Sequence, residues 1–94
     1  MKLREKTKYT EGVFRTLKKI EDFCVKQTGE RNAWVVGSTR YYFEWPIYGE
    51  TLDGTVEGDI YEEVGSVSKI IGSYLIDGTG VIIEFPFLPE KEIK

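Results

Sequence analysis

The sequence predicts an α+β domain of two layers, one N-terminal amphipathic helix packed on an antiparallel sheet of about five strands. Three observations carry that expectation. Val and Ile number 17 against 6 for Leu and Ala, with 13 aromatics besides, and branched and aromatic side chains suit a pleated, half-buried surface. One stretch near the start repeats its apolar residues at helical period. Beyond it, short apolar or alternating runs are separated by two- to four-residue turns or one Gly- and Pro-containing loop, as hairpins require and parallel crossovers do not. At 94 residues the chain holds one domain, spanning 1–94, and lacks the length for a second.

Each element has its own justification. Residues 1–9 are polar and basic and read as an arm. A helix is expected over 10–28, because Val13, Leu17, Ile20 and Cys24 recur at +4, +3 and +4. Thr10 offers a capping hydroxyl at its start, and Gly29 suits a left-handed residue just past its end. Ala33–Val36 and Arg40–Trp45 flank Gly37-Ser38-Thr39 as a first hairpin, which Pro46 ends. Residues 46–54 read as a loop. Thr55–Val64 alternates, with Val56, Gly58, Ile60, Glu62 and Val64 on one face and Glu57, Asp59, Tyr61 and Glu63 on the other. Gly65-Ser66 turns the chain into 67–76, and Asp77-Gly78-Thr79-Gly80 turns it again into 81–87. The sheet then covers 33–87, and 88–94 reads as a charged tail.

Much chemistry is excluded by residues that are missing. The chain has no histidine and one cysteine, so it lacks the commonest general base, any intramolecular disulfide and any multi-cysteine metal site. No cofactor and no metal are expected. No apolar leader follows Met1-Lys2-Leu3-Arg4-Glu5-Lys6, and no apolar run approaches the ~20 residues that span a bilayer. The expected location is cytoplasmic, in a host cell's cytoplasm for a viral protein, with no membrane partner.

Charge is segregated along the chain. Residues 1–40 balance at +5 and residues 41–94 at −8, and 41–68 hold seven acids without a base. Such a field steers association and selects partners. The bland alternative is a basic helix face that neutralises an acidic sheet edge internally. The densest feature is Tyr41-Tyr42-Phe43-Glu44-Trp45. Its alternation sends Tyr41, Phe43 and Trp45 to one face, expected to be core, and leaves Tyr42, with Tyr48 and Tyr61, as candidates for exposure.

The candidate partner-binding residues are therefore the tyrosines Tyr42, Tyr48 and Tyr61 and the neighbouring acids. The acids are Glu44, Glu50, Asp53, Glu57, Asp59, Glu62 and Glu63. Carboxylates along a strand imitate a phosphate track, so the expected function is a small non-catalytic protein-binding domain that blocks a basic, nucleic-acid-binding surface. A nucleic-acid mimic deployed as an inhibitor by a phage or mobile element fits that description. Two alternatives stand beside it. One is nucleic-acid binding through Lys2, Arg4, Lys6, Lys8, Arg15, Lys18 and Lys19, although the aromatic run lacks the spacing of the RNA-binding sheet motif. The other is self-association through the edge of the last hairpin. Catalysis is not expected. Glu57 and Asp59 have Cα atoms roughly 6.5–7 Å apart on a strand, but one helix on one sheet offers little cavity in which to perturb them. Asp77–Gly80 reads as a turn and not a phosphate loop, and Cys24 reads as core.

Overall fold

The computed structural model describes residues 9–46 and 53–93. Glu11–Thr28 form helix α1. Thr10 caps it from an extended backbone, its hydroxyl accepting from the Val13 N–H at 3.1 Å. Gly29 ends it at φ 83°, where a Cβ would be strained, and its N–H donates to the Val25 carbonyl. The predicted stripe is the buried one: Val13, Leu17, Ile20 and Cys24 are all fully enclosed. Because α1 begins at the eleventh residue, the helix is not strictly N-terminal.

Five strands follow: β1 (Ala33–Val36), β2 (Thr39–Phe43), β3 (Val56–Val64), β4 (Val67–Ile76) and β5 (Ile82–Glu84). They pair antiparallel in chain order as one curled sheet, with α1 as the second layer. The expected α+β two-layer architecture is the observed one. Within the β3–β4 ladder, Ile60 faces Gly72 while Tyr61 faces Ile70, so Ile71 bulges and β4 changes phase. That bulge keeps Tyr74 and Ile76 on the core side.

Several boundaries differ from expectation: β2 takes in Thr39, which the sequence reading places in the turn, and ends at Phe43 rather than at Trp45. The last strand was expected over 81–87 and spans three residues, because Pro86 has no N–H to donate and the chain turns away from the ladder. Phe87 then takes φ 66°, an uncommon conformation for a residue with a Cβ. It turns the Phe87 carbonyl toward the Trp34 Nε1–H, which donates at 3.0 Å, so a buried donor that would otherwise be orphaned is satisfied. Residues 88–93 do not behave simply as a charged tail. Leu88 is 7% exposed, Glu90–Glu92 form a 3₁₀ turn, and Ile93 packs against the core.

The core lies between α1 and one face of the sheet. Phe43 sits at its centre, its ring 4.8 Å from Trp45, 5.5 Å from Phe85 and 5.6 Å from Tyr74, all edge-on. Tyr41 and Phe43 are buried and Trp45 half-buried, as the alternation of the aromatic run predicts. The Tyr74 hydroxyl donates to the Glu44 carbonyl at 2.6 Å. Gly58 makes that bond possible, since a Cβ there would lie 2.6 Å from the Tyr74 ring and 2.7 Å from the same carbonyl. A core bond thus anchors the backbone of Glu44, whose side chain belongs to the other face.

Candidate functional site

The sheet face turned away from α1 gathers most of the predicted residues. Period two along β3 points Val56, Ile60 and Glu62 toward the helix layer and Glu57, Asp59, Tyr61 and Glu63 away from it. Register then sets the neighbours: Tyr42 lies opposite Tyr61, and Arg40 opposite Glu63. The two tyrosine rings stack with centroids 4.8 Å apart and planes 6° from parallel. The Tyr61 hydroxyl donates to Glu44 Oε2 at 3.0 Å. That bond first, and partial burial second, hold the Tyr61 phenol above its ordinary pKa. Stacking also explains why both rings are half-buried on a face that the helix does not cover.

Arg40 organises one end of this face. Its guanidinium is hydrogen-bonded to Glu63 and to Glu30 at once, and its central carbon lies 5.8 Å over the Tyr42 ring. An open depression of about 300 Å³ lies here, lined by Glu30, Asn32, Arg40, Tyr42, Glu63 and Ser68. Among the described residues, Glu44, Glu57 and Asp59 have no cation within salt-bridge distance. Among the described residues the face is therefore partly compensated at the Arg40 end, where one guanidinium meets two carboxylates, and carries no paired cation beyond the tyrosine pair.

The predicted set separates accordingly. Tyr42, Glu44, Glu57, Asp59, Tyr61 and Glu63 share the face. Glu62 lies on the opposite one, where it meets Lys69 at 4.0 Å; it also stands beside Tyr41, whose phenol is raised by burial and then by Glu62. Asp53 sits beyond the other end of β3, its Oδ1 accepting from the Thr55 N–H at 3.0 Å. Tyr48 and Glu50 lie outside the described residues. Neither Arg40 nor Glu30 is among the predicted partner-binding residues. Alternation does place Arg40, Tyr42 and Glu44 on one face, but Glu30 comes from the loop after α1 and carries no local signal.

The helix does not neutralise the acidic strand, because the sheet stands between them. Its cations meet acids on or beside α1 instead. Arg15 pairs with Glu11 at 3.4 Å, and Lys18 with Asp22 at 3.3 Å and Glu21 at 3.4 Å. Asp22 and then Glu21 raise the Lys18 ammonium above its ordinary pKa. Arg31, from the loop that follows, lies 3.8 Å from Glu21. Lys19 and Lys26 line a depression together with Asp22 and Glu92. The arm lysines Lys2, Lys6 and Lys8, with Arg4, lie outside the described residues.

Cys24 is enclosed in the core, and burial first and Glu21 second push its thiol up to about 12. Such a thiol is a packing group rather than a nucleophile. Among the described residues no group of three or more Cys, Asp or Glu side chains is placed to hold a metal. No described helix is long and apolar enough to cross a membrane. Comparison of the chain with protein-family models, with curated proteins and with solved structures found no match.

Proposed function

We propose that the protein is a non-catalytic binding module that occupies a basic, nucleic-acid-binding surface of another protein through the sheet face opposite α1. One observation carries this reading. A stacked, parallel pair of tyrosines is set beside Glu44, Glu57 and Asp59, which have no cation within salt-bridge distance among the described residues, on a face that the helix layer leaves uncovered. Tyrosines supply contact area at low entropic cost, and unpaired carboxylates steer encounter with cations. The negative part of the face, around Glu44, Glu57 and Asp59, repels phosphates and so favours a protein partner over a nucleic acid. The setting that fits is a reducing cytoplasm. In a phage or mobile element, the module would act as an inhibitor inside the host cell.

The test is capture from a nuclease-treated host lysate by tagged wild type and by the double variant Glu57→Lys/Asp59→Lys. Both residues lie outside the Arg40 ion pairs, so the fold is expected to survive, which circular dichroism and melting check. The expected result is a basic protein whose affinity falls at least tenfold with the double variant and which duplex DNA displaces from the wild type. Retention unchanged by the double variant overturns the proposal. Retention that vanishes on nuclease treatment does so as well, and shifts the assignment to nucleic acid and the basic arm.

A further inference from the structure

We propose that Gln27 guards the edge of β1 against pairing with the β1 strand of a second copy of the protein. The sheet has two edges, β1 and β5, and an edge presents unpaired N–H and C=O groups to any strand that can reach them. β5 is blunt by construction. It has three residues, an irregular register against β4, and Pro86 two residues past its end. β1 lacks such protection of its own, since Ala33-Trp34-Val35-Val36 contains no charge and no proline and is rich in strand-forming side chains. Its antiparallel pairing with a second β1 would be self-complementary about a two-fold axis.

The hydrogen-bond pattern shows where β1 is open and what closes it. The Phe43 N–H donates to the Asn32 carbonyl at 3.0 Å. Antiparallel alternation therefore directs Asn32, Trp34 and Val36 toward β2 and turns the backbone groups of Ala33 and Val35 outward. Gln27 meets Val35 there. Its Nε2 donates to the Val35 carbonyl at 3.1 Å, and its Oε1 accepts from the Val35 N–H at 2.8 Å. A side-chain amide carries the donor and acceptor of a peptide group, so Gln27 pairs with Val35 as one residue of an added strand would. Thr28 assists from the next position. Its hydroxyl lies 2.9 Å from both the Ala33 and the Cys24 carbonyls, so its single proton is divided between strand and helix.

The device depends on where α1 stops. Gln27 lies in the last turn, two residues before the Gly29 cap, and that end of the helix runs beside β1. Gln27 is itself exposed. Neither fold class nor the acidic face needs a glutamine here, and the proposal is independent of the function assigned above.

The experiment compares wild type with Gln27→Ala and with Gln27→Ala/Val35→Pro. Ala at an exposed helical position preserves the helix, and proline at Val35 removes the N–H through which a second strand would pair. The proposal expects the Val35 amide to exchange at least tenfold faster in Gln27→Ala than in wild type. It also expects Gln27→Ala to form dimers or larger species at concentrations at least tenfold below any at which wild type does. These would be followed by sedimentation from about 10 μM to about 1 mM. The double variant should return to the association state of the wild type. Unchanged exchange at Val35, a Gln27→Ala protein no more associated than wild type, or association that persists in the double variant would each overturn it.

Discussion

The two faces of the sheet use the same kinds of residue to opposite ends. Toward α1, Trp34, Phe43 and Tyr74 are fully enclosed, and Phe43 meets Tyr74 and Phe85 at 83° and 87°. Away from it, Tyr42 and Tyr61 lie parallel and half-buried among carboxylates. On the first face each ring is fixed by the volume around it, and its polar atoms are anchored to backbone carbonyls. On the second, position comes from strand register, one tyrosine–carboxylate hydrogen bond and the Arg40 ion pairs. Apolar burial is therefore concentrated on one side of a single sheet, and the other side is expected to tolerate substitution better.

That contrast can be broken or sharpened by measurement. The largest expected effect is Phe43→Ala, which removes the ring at the centre of the core. It should cost about 3–5 kcal/mol in urea unfolding, and a cost below ~1 kcal/mol would erase the distinction between the faces. An intermediate effect is expected at alkaline pH. The folded Cys24 thiol holds its proton up to about 12, against an ordinary value of 9.0. Its contribution is complete below pH 9.0 and is lost as pH rises from there toward 12, because the unfolded chain releases the proton first. Wild type should lose about 2 kcal/mol more than Cys24→Ala between neutral pH and about pH 10.5; parallel pH profiles would refute the burial argument. The smallest effect belongs to Glu57→Gln on the opposite face, expected to change unfolding free energy by less than about 0.5 kcal/mol. A larger loss would mean that the acidic face supports the fold.

Local chemistry was enough to read several elements from the chain. Thr10 and Gly29 bracket α1 because a cap and a left-handed stop are properties of single residues. The alternation through Val56–Val64 places Glu62 apart from Glu57, Asp59, Tyr61 and Glu63, since a strand's period is fixed by its backbone. Non-local contacts were beyond it. Past the end of β5, the Phe87 carbonyl accepts from a tryptophan 53 residues away in sequence. Leu88 and Ile93 turn inward although charged neighbours make 88–94 look like a tail. The Ile71 bulge shifts the face of every later β4 residue, and no residue type announces it.

The candidate site divides along the same line. Sequence alone determined that a helix and hairpins would form, that acids and tyrosines would share a strand face, and that histidine chemistry and an intramolecular disulfide were excluded. Those are matters of composition and of a period set by bond geometry. Tertiary structure decided that Tyr42 stacks on Tyr61, that Arg40 bridges Glu63 and Glu30, and that Gln27 closes the edge at Val35. Each joins groups from different elements, within the reach of a hydrogen bond or ring contact. Such short reach is settled only when strand register and the end of the helix are in place.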